Sequence, residues 1–284
     1  MLLDARPLRD KRIEELRQKV EELPEVPKLV LIRVGNDPAS IKYVGNKKKL
    51  CEQVGVESVV VELPEQITQD ELEDKVNYYS TMASTTGILL QLPLPKHIDE
   101  ERILNLIDPD KEVDGFSVVN LGKLMRGEEA PVACTPKGII ELLKHYQIPM
   151  EGKNVLIINR SNIVGKPLAQ LFLRENATVT IAHSRTNKEK LKEMLALSDI
   201  VVTGIGRAGH FKSADFQPNT TIVDVSINVN EQGKLCGDVD KESYDRLVTK
   251  NCNITPVPGG VGIMTVLSLI EQVIEMKVRE LEAR

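Results

Sequence analysis

The stretch that decides the fold is 154-NVLIINRSNIVGKP-167. Asn154 to Asn159 is an apolar, β-branched run that reads as a strand, and the polar segment from Arg160 to Lys166 turns it into a helix. A dinucleotide-binding turn uses small residues at such a junction, so that backbone amides at the helix start approach a diphosphate. Only Gly165 is glycine here, and Asn159 is a residue that tolerates a left-handed backbone. An ordinary strand-to-helix turn fits this stretch equally well. Working outward, further strands are expected at Thr178 to His183, Asp199 to Ile205 and Thr220 to Ile227, with helical segments between the first three of the series. That alternation predicts a mostly parallel α/β sheet.

Upstream the pattern repeats. Ile13, Leu16, Val20 and Leu23 share one helical face, Lys28 to Val34 reads as a strand, Ser40 to Val54 as a helix, Ser58 to Glu62 as a strand and Gln69 to Tyr79 as a helix. Gly87 to Leu94 is a near-continuous apolar run, as a strand buried on both faces requires. Thr135-Pro136 resembles a cap opening a helix to Tyr146, and an amphipathic helix from Met264 closes the chain. Two α/β halves meeting near residue 136 are expected, in keeping with 284 residues at roughly 150 per domain.

Composition excludes several classes. The net charge is −5, from 37 Lys and Arg against 42 Asp and Glu scattered along the chain, so no basic face for nucleic acid is expected. Aromatics are 3% and Trp is absent, which argues against stacking platforms for single strands. Apolar runs are far too short for a membrane span, and Met1 to Arg12 is too charged for a secretory signal. A soluble intracellular protein is the expectation. Cys51, Cys134, Cys236 and Cys252 form no CxxC pair, and the four histidines lack ligand spacing, so neither disulfides nor a metal is expected.

Chemistry-bearing residues cluster at a few places. After the second strand of the series, His183-Ser184-Arg185-Thr186 carries no acid where an NAD site would hold the ribose hydroxyls. Hydroxyls and guanidinium groups, with Arg160 in reach, suit a 2′-phosphate, so NADP is the expected cofactor. Gly204-Ile205-Gly206 and Pro256-Val257-Pro258-Gly259-Gly260-Val261-Gly262 end apolar runs and allow close backbone approach to a ligand. In the first half, Ser40, Tyr43 and Lys47 share a helical face; with Lys48 and Lys49 following, periodicity alone reads this as a solvated basic surface. Gln91 interrupts an apolar strand, and Asp114 lies between Val113 and Gly115; both need partners if buried. Spacing alone does not show that they meet.

The stretches VGNDPASIKYVGNKKKL, GILLQLPLP, DKEVDGFSVVNLGKL, CTPKGIIELL, NRSNIVGKP, ATVTIAHSRT and TPVPGGVGIMT, in this order from Val34 to Val266, resemble the bifunctional methylenetetrahydrofolate dehydrogenase/methenyltetrahydrofolate cyclohydrolase (FolD-type) family. The resemblance implies two α/β domains around a cleft, the second a Rossmann-type NAD(P)-binding domain. It implies a catalytic folate-binding domain over 1–136, with the last helix, 265–284, returning to it, and an NADP-binding domain over 137–264. Tyr43 and Lys47 match the family's tyrosine and catalytic lysine, Gln91 a glutamine that tunes the lysine, and Asp114 a pterin-anchoring aspartate. Pro258, Gly259 and Gly260 match a folate-contacting loop. Asn159, Arg160, Ser161, Ser184 and Ile227 fall where the family contacts NADP. A cytoplasmic homodimer supplying purine, methionine, histidine and formyl-methionyl-tRNA synthesis is implied as well.

Three departures stand out: Asn159 in place of glycine, Glu112 in place of aspartate, and Ile263 in place of proline. The implied chemistry is NADP-dependent oxidation of 5,10-methylenetetrahydrofolate to the methenyl form, then hydrolysis to 10-formyltetrahydrofolate. Lys47 would shuttle protons in the second step, with burial lowering its pKa toward neutrality. Three rivals remain on sequence grounds. A dehydrogenase-only relative is expected to have lost Lys47. A generic two-domain NADP oxidoreductase leaves Tyr43, Gln91 and Asp114 unexplained. A catalytically silent NADP-binding sensor would have no need of the set.

Overall fold

Two apolar runs, at 28–34 and 154–158, each become an interior strand of a parallel sheet. The computed structural model describes residues 1–284 and divides into two units. The first comprises Asp10–Cys134 with Val266–Arg284, the second Met1–Arg9 with Thr135–Thr265. In chain order the elements of the first unit are α1 (Arg6–Glu21, whose opening residues belong to the second), β1 (Lys28–Val34), α2 (Pro38–Val54), β2 (Glu57–Leu63), α3 (Gln69–Thr81), β3 (Gly87–Leu90), α4 (Glu100–Leu104) and α5 (Val118–Arg126). There follow α6 (Cys134–His145), β4 (Asn154–Ile158), α7 (Gly165–Arg174), β5 (Thr178–Ala182), α8 (Lys188–Leu197), β6 (Ile200–Thr203), β7 (Thr221–Asp224), β8 (Asn228–Val229), β9 (Leu235–Cys236), α9 (Tyr244–Thr249) and β10 (Asn253–Ile254). The last helix, α10 (Val261–Glu282), starts in the second unit and ends in the first.

In the first unit the sheet order is β2-β1-β3, all parallel. Its core gathers Val30, Ile32, Val34, Ile88 and Leu90 from the sheet with Leu72 and Val76 from α3 and Ile103 and Ile107 beyond it. β1 is buried along almost its whole length, which is why it is apolar without alternation. Thr68 and Glu71 form a capping box at the start of α3.

The second unit holds a five-stranded parallel sheet of order β10-β7-β6-β4-β5. The order reverses between β4 and β6, which places the loops after these two strands at a topological switch point, the usual ligand position in such sheets. Two apolar clusters cover the two faces. One is built on Val155, Ile157, Val202 and Phe172, the other on Leu156, Ile158, Val201, Phe211 and Phe216.

Several expectations are corrected by the hydrogen bonding. The run Gly87 to Leu94 is a strand only to Leu90, where its pairing with Ile32 ends; Pro93 and Pro95 carry no N–H to extend the ladder. Thr135 lies inside α6, which begins at Cys134, and its hydroxyl pairs with that of Thr265 at 2.9 Å instead of capping. The first nine residues group with the second unit, not the first: Leu3 N donates to Ile254 O at 2.8 Å and Ile254 N to Met1 O at 3.0 Å. The short α4, α5 and α9, the hairpin of β8 and β9, and β10 had no sequence signal long enough to read. No helix is long and apolar enough to cross a membrane, and no cluster of His, Cys, Asp or Glu is placed to hold a metal.

Candidate active site

Helix α2 places the first candidate set. Asp37 precedes it and accepts from Ser40 N at 2.7 Å, Pro38 sits in the first turn, and Gly55 ends it in the left-handed region at φ 83°. With both ends defined, Tyr43 and Lys47 lie one turn apart on one face. Tyr43 is 41% exposed, unusual for an aromatic ring and suited to stacking on a flat ligand. Lys47 is half-buried, not enclosed as the sequence reading expects. Its Nζ donates to Gln91 Oε1 at 3.0 Å. Gln91 is fixed in turn: its Nε2 donates to Leu92 O and its backbone N to Ile32 O, both at 2.8 Å. Being just past the last residue of β3, Gln91 leaves the core and turns its side chain to the lysine.

Asp114 joins the same group. Burial raises its pKa, while the Lys47 charge and a hydrogen bond from Cys134 oppose the rise. Its loop is held from two sides. Glu112, 1% exposed, accepts from Asp114 N at 3.0 Å, Ser117 N at 3.2 Å and Asn120 Nδ2 at 3.1 Å. The Glu-for-Asp departure is thus absorbed as a loop clamp, and burial and the neighbouring Asp114 raise its pKa. From α10, Gln272 Nε2 donates to Val113 O and, at 3.0 Å, to Val132 O, while its Oε1 accepts from Val132 N at 3.1 Å. Gly115 follows at φ +66°, and a Cβ there would lie 2.7 Å from Pro131 O. Sequence reading missed Gln272 and Asn120 altogether; a glutamine amid the apolar residues of α10 is the signal that would have found the first.

The remaining candidates lie in the second unit. Asn159 has no left-handed backbone; it acts through its side chain, whose Oδ1 accepts from Ser161 N and Ser161 Oγ, both at 2.8 Å, and whose Nδ2 donates to Gly204 O at 2.6 Å. Arg160, Ser184 and Arg185 are exposed beside the carboxyl ends of β4 and β5, with no carboxylate at the end of β5. This donor set suits a phosphorylated nucleotide. Ile227, after β7, is 49% exposed and offers an apolar contact at the same edge. Pro258, Gly259 and Gly260 also belong here. The Val257-Pro258 bond is cis, Gly259 has φ +117°, and Gly260 is packed so that a Cβ would lie 2.7 Å from Pro256 O. Ile263 N donates to Gly260 O at 3.1 Å, a bond that a proline at this position would forgo.

Two buried carboxylates underlie this edge and were not foreseen. Asp238, 0% exposed, accepts from Thr203 Oγ1, Ile205 N, Ser226 Oγ and Arg207 N at 2.7–2.9 Å and from Asn228 Nδ2 at 3.2 Å. It thereby ties the Gly204–Gly206 loop to the segment carrying Ile227. Burial pushes the Asp224 carboxyl up to about 7, against the opposing N–H groups of Val239, Asp238 and Ser226. The folded chain therefore binds this proton more tightly than the unfolded chain, whose carboxyl titrates near 3.8. Its stabilising contribution is complete below about pH 4 and is lost as the pH rises through about 7. The Asp224 carboxyl carbon should titrate by NMR with a midpoint of about 7, with unfolding free energy falling across that range. A midpoint at the ordinary aspartate value would refute this.

Comparison with known proteins places these features in a family. Residues 3–114 match the model described as "Tetrahydrofolate dehydrogenase/cyclohydrolase, catalytic domain", and residues 133–281 match its "NAD(P)-binding domain". The chain is 48% identical over 288 residues to "Bifunctional protein FolD" of Streptococcus pneumoniae, covering 100% of this chain and 99% of that one. Among solved structures, the bifunctional FolD methylenetetrahydrofolate dehydrogenase/cyclohydrolase of Campylobacter jejuni has a TM-score of 0.94 at 41% identity, covering 99% of each chain. The methylenetetrahydrofolate dehydrogenase-cyclohydrolase of Trypanosoma brucei, solved with NADP cofactor and inhibitor, has a TM-score of 0.91 at 32% identity, covering 99% of this chain and 98% of that one.

Proposed function

The chain belongs to the tetrahydrofolate dehydrogenase/cyclohydrolase family and is a bifunctional, NADP-dependent folate enzyme; from that premise we propose which of its residues carry each step. The observation that carries the assignment is the bond from Lys47 Nζ to Gln91 Oε1 at 3.0 Å, with the Lys47 charge acting on Asp114.

The enzyme oxidises 5,10-methylenetetrahydrofolate to the methenyl form and hydrolyses that to 10-formyltetrahydrofolate. NADP, when bound, would supply the nicotinamide ring as hydride acceptor. The two folate nitrogens flanking the reacting carbon stabilise the cation that results, so no protein base is required in this step and orientation is the protein's contribution. We assign that orientation to Asp114, whose carboxylate accepts from the N–H groups of the pterin, to Tyr43, whose exposed ring packs on the folate's aromatic system, and to the Pro258–Gly260 loop. In hydrolysis, water adds to the methenyl carbon and releases one proton to solvent; as the neutral adduct opens, its hydroxyl gives up the second proton to become the formyl C=O and the departing ring nitrogen gains one. Lys47 Nζ relays this proton, held on line by Gln91.

Arg160 and Ser184 are assigned to the 2′-phosphate and Ile227 to an apolar face of the cofactor, with Asn159 and Ser161 shaping the turn between them. The folate role is assigned to the unit of residues 10–134 with 266–284, and the NADP role to the unit of residues 135–265 with 1–9. The resemblance further supports a cytoplasmic homodimer serving purine, methionine, histidine and formyl-methionyl-tRNA synthesis. The mixed-sign surface at net charge −5 supports a protein without nucleic-acid or membrane partners.

An absorbance assay tests the reading. Purified protein should reduce NADP in the presence of methylenetetrahydrofolate, faster than NAD, and should remove the methenyl absorbance above the uncatalysed rate when given methenyltetrahydrofolate alone. Reduction without hydrolysis would remove Lys47 from its role.

A further inference from the structure

Sequence reading leaves two alternatives for the start of α7, amides that approach a diphosphate or an ordinary strand-to-helix turn; in the structure these amides have partners within the chain. Gly165 N donates to Asn159 Oδ1 at 3.1 Å, and Ser161 N and Ser161 Oγ donate to the same oxygen at 2.8 Å. Val164 N donates to Ser161 Oγ at 3.1 Å and Lys166 N to Ser161 O at 3.0 Å. Pro167, next in the helix, has no N–H. Across the switch point, Asn159 Nδ2 donates to Gly204 O at 2.6 Å, which fixes the amide's orientation and keeps Oδ1 on its three donors. An oxygen that accepts three hydrogen bonds from a turn and a helix start holds the place of an anion oxygen.

We propose that Asn159 is a built-in occupant of the diphosphate's donor set and thereby sets how tightly this chain holds NADP. The amides it occupies are withheld from the ligand, and phosphate recognition falls to the loop side chains Arg160, Ser184 and Arg185. The inference rests on the NADP-binding role of this unit. Glycine at 159 would release Ser161 N and Gly165 N together. The close packing of the turn does not depend on the Asn159 side chain alone, because a Cβ on Gly165 would also overlap the Asn159 backbone carbonyl.

Titration calorimetry with NADP, NAD and ADP, on wild type and on Asn159→Gly, Asn159→Ala and Asn159→Asp variants whose folding is checked by circular dichroism, tests this. Asn159→Gly should bind all three ligands about tenfold more tightly, since two N–H groups become available to an anion. The NADP-to-NAD affinity ratio should stay within about twofold, because the diphosphate is common to both. Asn159→Ala should act in the same direction, and Asn159→Asp, which puts a charge on the same donors, should weaken all three. Should Asn159→Gly fail to fold, the opposite signs for Ala and Asp decide. Unchanged affinity in folded Gly and Ala variants would leave Asn159 as a builder of the turn only and overturn the proposal. Weaker binding in both would make its amide a cofactor ligand and overturn it equally. If wild type and all variants bind none of the ligands, the NADP role of the unit fails, and the inference fails with it.

Discussion

Replacing Lys47 with Met should lower cyclohydrolase activity by about 10²–10⁴-fold, the range for loss of a positioned proton-transfer group, while dehydrogenase activity falls by about tenfold or less. The asymmetry follows from the chemistry. Hydride loss from the methylene carbon moves no proton at a protein group, whereas opening of the hydrated methenyl ring moves two. Met keeps the length and the apolar stem of lysine but neither donates to Gln91 Oε1, now 3.0 Å from Nζ, nor carries a proton. Rates of methenyl hydrolysis, corrected for the uncatalysed reaction, and rates of NADP reduction on the same preparation give the ratio. Equal loss of both would make Lys47 a binding group; retention of hydrolysis would remove it from the mechanism.

Replacing Asp114 with Asn should lower kcat/KM for both activities together, by about 10²-fold, because hydrogen bonds to a charged group are worth roughly 1.5–3 kcal/mol each and both steps use one bound folate. The same change should stabilise the fold at neutral pH. Burial raises the Asp114 pKa, so its ionised form costs stability once the pH exceeds the unfolded value, and the neutral amide avoids that cost. A rise in melting temperature accompanied by a fall in both activities would separate a ligand-anchoring carboxylate from a merely structural one. A fall in melting temperature with unchanged KM would sink the assignment. Glu112 and Gln272, which hold the N–H and the C=O of the Val113–Asp114 peptide, keep the loop in place in the variant.

How far the site was legible differs from residue to residue. Tyr43 and Lys47 were recoverable as a pair because a helix has a fixed period, yet the period could not separate a catalytic face from a solvated one. Gln91 betrayed itself as a polar residue in an apolar strand, but the end of that strand at Leu90, which turns the side chain outward, depended on prolines and on the register with Ile32. Glu112 read only as a departure from the family's aspartate; the three backbone and side-chain donors that converge on it show it as a loop clamp. Asp238 offered no signal, since a carboxylate in a loop is ordinary until five donors converge on it.

The sequence by itself determined the α/β class, the two halves and the family. Apolar runs of strand length alternating with helical periods are local signals, and seven ordered motifs carry far more information than any one of them. Only the tertiary structure decided which donors are free. The spacing of Asn159, Ser161 and Gly165 is the same whether the turn opens onto a ligand or closes on itself. Hydrogen bonds joining residues 159 and 204, or 91 and 47, depend on where separate strands and helices are brought by packing, and no local pattern in the chain encodes that.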